Sequence, residues 1–334
     1  MPAVSVLVPC YNVEKYIRQC LDSVVGQTLT DMEIICLNDG STDGTLAILQ
    51  EYAEKDSRVR IIDKPNFGYG DSMNKGLEAA TGEYIGIVES DDWAEADMFE
   101  SLYALAKQHD CDMVKSAYNF YWSTPKERRE LCAVPSEFAD RLLLNEEHAD
   151  FSRIAPSIWS GIYRREMLEQ YGIRFLNTPG ASYQDTGFHA KTWMASRSIW
   201  VTSKAYLQYR QDNMNASVKS RRKIFAVVHE FRSIERFLAQ WNLEEEWEAI
   251  KDRAKFKCYG WNYNRLDIVG RKRFLPVMRK EFGEILSSPI SRKSLSKNAL
   301  KKMQFIQNYP VIYLLKTLYR DFQKSFFDHR GLSI

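Results

Sequence analysis

Val4-Ser5-Val6-Leu7-Val8-Pro9-Cys10-Tyr11-Asn12 is a short apolar run that stops at a proline and two polar residues. A run of this length bounded by turn residues reads as a buried strand, and the pattern of the next hundred residues decides the fold. Residues 13–26 carry Ile17, Cys20, Leu21 and Val24 at helical spacing, with Asn12 as the expected N-cap. The alternation then repeats. Residues 32–37, 59–62, 84–88 and 111–115 read as strands. Helical patterns begin after Asp43 and cover 71–80 and 95–107. Apolar strands separated by helices predict an α/β fold with a mostly parallel central sheet and helices on both faces. In such sheets ligands bind outside the carboxyl ends of the strands.

Beyond this core the pattern loosens. Residues 116–220 hold Pro125, Pro135, Pro156, Pro179 and Gly180, with strand-like pieces at 198–202 and 205–210. From Arg222 onward helical patterns dominate, at 224–241, 244–259 and 295–327, the last broken at Pro310. The expected organisation is a catalytic domain over 1–220 and a mostly helical region over 221–334.

The chain of 334 residues is 45% hydrophobic and 27% charged, which suits a folded globular protein and excludes a disordered one. The six cysteines, Cys10, Cys20, Cys36, Cys111, Cys132 and Cys258, form no C-x-x-C pair or zinc-like cluster, so a reducing compartment is expected. No apolar run approaches the ~18 residues of a spanning helix, and the chain opens directly into a strand. A cytoplasmic location is the expectation. Net charge is +2 but uneven: residues 271–334 hold 14 Lys and Arg against 4 Asp and Glu.

Three loops should meet at the carboxyl edge of the sheet: Pro9-Cys10-Tyr11-Asn12, Asn38-Asp39-Gly40-Ser41-Thr42-Asp43-Gly44 and Glu89-Ser90-Asp91-Asp92. Carboxylates repel phosphate oxygens, but they accept hydrogen bonds from a base or a ribose. They also hold a divalent cation that grips a diphosphate. Each loop alone also reads as a turn with a helix cap. Gly68-Tyr69-Gly70-Asp71-Ser72-Met73 lacks the third glycine of a dinucleotide fingerprint and does not come after the first strand. No phosphate-binding G-x-x-x-x-G-K-[ST] loop is present.

These segments, together with Asn66-Phe67-Gly68, Asn74-Lys75-Gly76-Leu77, Gly82-Glu83-Tyr84 and Trp93, resemble family-2 glycosyltransferases of the GT-A (Rossmann-like) fold over about residues 3–215. The resemblance implies an inverting, metal-dependent transfer of sugar from a nucleotide-sugar, with a UDP-sugar expected, to an acceptor hydroxyl. It places Pro9, Tyr11 and Asn12 at the nucleotide, Asp39 at the uracil and Asn66 on the loop that completes the pocket. Asp91 matches the last acid of the D-x-D motif, so Mn²⁺ or Mg²⁺ is expected on Asp91, helped by Asp92. Glu89 stands where Asp is usual and Ser90 lies between the acids. Met73 replaces a usual basic residue.

Asp185 alone reads as a cap of the helix beginning near Thr186, but Tyr183-Gln184-Asp185-Thr186 resembles the family's Glu-Asp motif with Gln184 in place of Glu, which makes Asp185 the candidate general base. Trp159 and Tyr183 are candidates on the acceptor side, although an indole equally fits a core. Tyr209-Arg210-Gln211 and Ser217 resemble a segment that closes over the diphosphate, where Arg210 reads either as a stabiliser of the leaving group or as a structural salt-bridge partner. His189 shares a helix face with Asp185 and reads as a metal ligand or a plain hydrogen-bonded histidine.

The expected acceptor is a glycan, a lipid-linked sugar or a protein. In residues 295–327, Leu315, Leu318, Phe322 and Phe326 recur at helical spacing between Lys316, Arg320 and Lys324. That pattern suits either packing on the protein or peripheral contact with the anionic inner face of a membrane. No nucleic-acid motif accompanies the charge. The departures at Glu89, Met73 and Gln184 keep a second reading open, a non-catalytic nucleotide-sugar-binding scaffold of a polysaccharide assembly complex.

Overall fold

The computed structural model describes residues 1–124, 126–147, 149–213 and 223–328, apart from the side chains of Glu146, Phe322 and 324–328. Ser217 lies outside the described residues. The chain divides into two compact units, Met1–Val218 and Lys219–Ile334.

In the first unit β1 (Val4–Cys10), α1 (Ile17–Val25), β2 (Met32–Asp39), α2 (Thr45–Lys55), β3 (Val59–Lys64), α3 (Tyr69–Ala79) and β4 (Tyr84–Ile87) alternate. Then come β5 (Trp93–Ala94), α4 (Met98–Gln108), β6 (Met113–Trp122), β7 (Arg128–Cys132) and β8 (Arg141–Leu144). The unit closes with β9 (Gly161–Arg164), α5 (Arg165–Gln170), α6 (Gln184–Ala195) and β10 (Ser198–Arg210). The sheet order is β3-β2-β1-β4-β9-β6-β10-β5, with β7 on β6 and β8 on β10.

Every residue of β1 and β2 is buried, as expected where helices cover both faces and strands lose their alternation. Each fully buried Val, Leu or Ile there contributes ~1.5–3 kcal/mol. The pairings β1–β2, β2–β3, β1–β4 and β6–β10 are parallel. β9 lies antiparallel between β4 and β6, so β6 and β10 point the same way as β1 to β4. Their carboxyl ends therefore share one edge.

Four local expectations are corrected. Helix α1 begins at Ile17 rather than at 13, and Asn12 does not cap it. Asn12 instead adopts φ 53°, which asparagine tolerates, and its Oδ1 accepts from Thr42 N at 2.8 Å. Helix α4 begins at Met98 rather than 95, because Trp93 and Ala94 pair with β10 and Glu95 N donates to Tyr206 O at 2.7 Å. The fifth strand, β6, extends to Trp122. The two pieces at 198–202 and 205–210 are one strand whose register shifts at Thr202/Ala205 and Ala205/Gln208; such bulges break the period-2 pattern.

The second unit holds α7 (Ala226–Trp241), α8 (Glu244–Arg265), α9 (Ile268–Ser287), α10 (Pro289–Ser294), α11 (Lys297–Asn308) and α12 (Pro310–Asp328). Trp247, Tyr259, Tyr263, Phe231, Phe274 and Phe282 form its fully buried centre. α12 starts at Pro310, where a missing N–H costs nothing. It buries Tyr313 and Thr317 against Tyr263 and pairs Asp321 with Arg271. Of its expected apolar row, Leu315 is exposed and Leu318 half-buried, while the side chains of Phe322, Lys324 and Phe326 lie outside the described residues. Among the described residues no helix is long and apolar enough to cross a membrane. All six cysteines are free thiols.

Candidate active site

The first two loops are built by side chains bonding to backbone. Asp39, at the end of β2, accepts from Phe67 N at 3.0 Å and Gly68 N at 2.9 Å and pairs with Lys64. Gly68 sits at φ +96°, open only to glycine without strain. Asp39 thus shapes the loop that exposes Asn66 and Phe67. Pro9 is buried, whereas Tyr11 is half exposed. Asp43 accepts from Thr45 N and Glu14 N, locking the second loop to the first. Tyr11, Asn12, Tyr16, Thr42, Asp43 and Asn213 line a cavity of about 320 Å³ at this edge.

The third loop meets the end of β10. Ser90 is buried. Asp91 Oδ2 accepts from Asn213 Nδ2 at 2.7 Å, which ties the acid to the cavity wall. Its Oδ1 accepts no hydrogen bond among the described residues. Asp92 is turned into the protein, 1% exposed, and accepts from Arg210 N at 2.8 Å. Its Oδ2 is buried without a partner among the described residues, and burial with the charge of Asp91 raises its pKa well above the usual range. Of the two acids expected to hold a cation, Asp92 is the one turned inward.

Arg210 is 7% exposed. Its guanidinium bonds Asp91 O at 2.9 Å and Gln19 Oε1 at 2.6 Å and lies against the rings of Tyr16, Trp93 and Tyr121. It holds the Asp91 loop from behind. Glu89, half-buried, accepts from Tyr69 Oη at 2.7 Å. Burial, reinforced by Asp91 and Asp185, pushes its carboxyl up to about 8.

Asp185 lies in the first turn of α6. Its Oδ1 takes the Thr186 N–H at 2.7 Å and the Thr186 hydroxyl at 3.3 Å. Burial raises its pKa against those bonds and the charge of Lys115. Gln184, 2% exposed, does more than replace an acid. Its Nε2 donates to Thr178 Oγ1 at 2.8 Å and Gly180 O at 2.9 Å, and its Oε1 accepts from Ser182 N. Tyr183, just before Gln184, has φ 63°.

Trp159 is 8% exposed and packs on Tyr118 and Tyr209 at 4.6 and 4.8 Å between ring centroids. His189 is buried against Phe151 and Trp193, and burial pushes its pKa down to about 3. It is the plain buried histidine of the two readings. Met73 is fully buried, so that position serves packing.

Three residues at this site escaped sequence reasoning. Lys115, on β6, is 1% exposed, bonds Ser157 O, and is pushed down to about 7 by burial, against the pull of Asp185. A lysine inside an apolar strand was the available signal. Tyr69 and Asn213 had none, because their partners are distant in sequence.

Among the described residues no three His, Cys, Asp or Glu side chains form a ready metal cage. Mg²⁺ and similar cations use one or two carboxylates and complete their shell with substrate phosphates and water. Asp91, with Oδ1 unbonded, fits the protein half of such a set.

Residues 5–172 match the family model for glycosyl transferase family 2. The uncharacterized glycosyltransferase EpsJ of Bacillus subtilis (strain 168) is 33% identical over 219 residues, 64% of this chain. The chain spans only 62% of the length of EpsJ. The putative glycosyltransferase EpsH of the same organism is 31% identical over 304 residues, 89% of this chain and 86% of EpsH. The S. aureus TarS 1–349 structure in complex with UDP superposes with a TM-score of 0.63 at 20% identity, covering 92% of this chain and 87% of that one; at that identity it speaks for the fold alone. With a GT-A architecture, a carboxylate-lined strand edge and these relatives, the chain belongs to glycosyl transferase family 2 and is a glycosyltransferase.

Proposed function

We propose that the chain transfers a sugar from a UDP-sugar to an acceptor hydroxyl with inversion, using Asp185 as general base. The observation that carries this reading is the set of contacts reaching Glu89. Tyr69 donates to Glu89 in the loop that carries Asp91, and its ring meets Phe175, which stacks on Phe188 of α6, the helix that carries Asp185; this supports donor-side and acceptor-side acids at one site. TarS, the similar structure, is a complex with UDP, which supports a uridine donor. The cavity beside Tyr11 and Asn12 supplies room for the base.

Asp185 Oδ1 is held by Thr186, which leaves Oδ2 for the acceptor proton. Its raised pKa makes it a stronger base than an exposed aspartate. The acceptor oxygen attacks the anomeric carbon from the face opposite the diphosphate. The carbon–oxygen bond to the diphosphate breaks, its electron pair leaves with UDP, and the acceptor proton goes to Asp185. A bound Mn²⁺ or Mg²⁺ would offset charge on the leaving diphosphate, and Asp91 would hold it. Trp159 and Tyr183 are the aromatic candidates on the acceptor side.

The reading extends to a lipid-linked acceptor reached by peripheral contact with an anionic membrane through α12. Its exposed Val311, Ile312, Leu315 and Tyr319 among basic side chains support that.

Calorimetric titration of UDP with and without Mn²⁺ tests the donor site. Metal-dependent binding by wild type, weakened at least ~10-fold in Asp91→Ala, is the expected result. No UDP binding under either condition overturns the uridine assignment.

A further inference from the structure

We propose that Asn74, on the donor-side helix α3, is a positioning residue for Asp185; the inference rests on the reading of Asp185 as base. Asn74 clasps the backbone of Phe175 from both sides. Its Oδ1 accepts from Phe175 N at 2.9 Å, and its Nδ2 donates to Phe175 O at 2.9 Å and to Asn177 Oδ1 at 2.9 Å. One side chain thus satisfies both backbone groups of a residue about a hundred positions away, as a neighbouring strand would.

The loop after Phe175 lies flat on the start of α3. A Cβ on Gly70 would come within 1.9 Å of Leu176 O, and one on Gly68 within 2.7 Å of Gly180 N. No larger residue at position 70 leaves the loop where it is. Phe175 passes this placement onward. Its ring meets Tyr69 edge-on at 5.9 Å and stacks on Phe188 of α6 at 4.3 Å. Gln184 closes the loop on itself through Thr178, Gly180 and Ser182. The chain of contacts runs from Asn74 through Phe175 to both ends of the segment that delivers Asp185. It registers the base against the helix whose Tyr69 holds Glu89. Misplacing a catalytic group by ~1 Å costs up to ~10²-fold in rate.

Asn74 is half-buried on a helix, where alanine has the higher propensity, so Asn74→Ala keeps the fold. The test compares wild type, Asn74→Ala and the milder Asn177→Ala, which removes one of the three bonds. Amide exchange over 175–183, the titration of Asp185 followed by carboxyl-carbon NMR, and UDP affinity are measured. We expect exchange in that segment to rise about tenfold or more in Asn74→Ala and less in Asn177→Ala. Asp185 should titrate closer to an ordinary aspartate, with UDP affinity unchanged.

Unchanged exchange overturns the proposal, and so does loosened exchange with an unmoved Asp185 titration. An Asp185→Asn enzyme that still turns over a UDP-sugar would sink the base reading. The exchange result for Asn74 would stand apart from it.

Discussion

Glu89 carries an acid whose proton is held by its surroundings. Burial first, then the charges of Asp91 and Asp185, lift its carboxyl from 4.5 to about 8, against the Tyr69 hydrogen bond. The sign comes from proton counting. Between those two values the folded state keeps a proton that the unfolded state has lost. Stability from this group therefore falls as pH rises through that window, and the full penalty is present above it. Glu89→Gln keeps an oxygen for Tyr69 and removes the titration. Its melting temperature should equal wild type near pH 4.5 and exceed it by a few degrees at pH 8. Parallel melting curves across that range would refute the shift. Residues of this kind divide by how far their partners lie. Asp91 and Asp185 stood out in the sequence as candidates because short motifs name them. The hydrogen bond from Arg210 N to Asp92 Oδ1 was not legible, because only the return of β10 brings it there. The burial of Lys115 and the hold of Asn74 on Phe175 were silent, because partners distant in sequence define them.

Elements with a long, regular period were legible: β1, β2, α2 and α7 lie where the pattern put them. β9 was missed because its four residues, Gly161–Arg164, are too few to show a period and owe their conformation to β4 and β6 on either side. β10 was split because bulges interrupt it. In the helical unit, sequence period predicted α8 but not what fixes its neighbours. Lys255 of α8 bonds Glu235 of α7 at 2.5 Å and Glu281 of α9 at 3.0 Å, and Tyr259 donates to Glu281 at 2.5 Å. Lys255 and Glu281 are both buried. Removing one partner of such a pair strands the other charge, at a cost of ~3–5 kcal/mol. Lys255→Met should lower urea stability by about that amount, and adding Glu281→Gln should restore much of it. Additive losses in the double variant would show that the two side chains do not act as a pair.

At the scale of the molecule, charge and exposed apolar surface fall on the same stretch. Residues 271–334 hold 14 basic and 4 acidic side chains in a chain whose net charge is only +2. Within that stretch α12 leaves Val311 66%, Leu315 60% and Tyr319 62% exposed, four residues apart on one side, while Tyr313 and Thr317 pack inward. Lys316 lies over the ring of Phe305, and Arg320 bonds Asn264, so both cations flank the stripe. A stripe this apolar beside fixed positive charge matches the interface of an anionic bilayer. Both parts contribute there, through buried apolar area and through attraction to headgroups. Vesicles containing phosphatidylserine should therefore co-sediment the protein at low salt, and phosphatidylcholine vesicles should not. Binding should weaken as salt shortens the Debye length to ~10 Å near 0.1 M. Leu315→Glu and Tyr319→Glu place charge on the stripe without touching the packed face, so they should abolish co-sedimentation and leave UDP binding intact. If anionic vesicles fail to bind the wild type at low salt, the stripe serves another surface, and the lipid-linked acceptor loses its support.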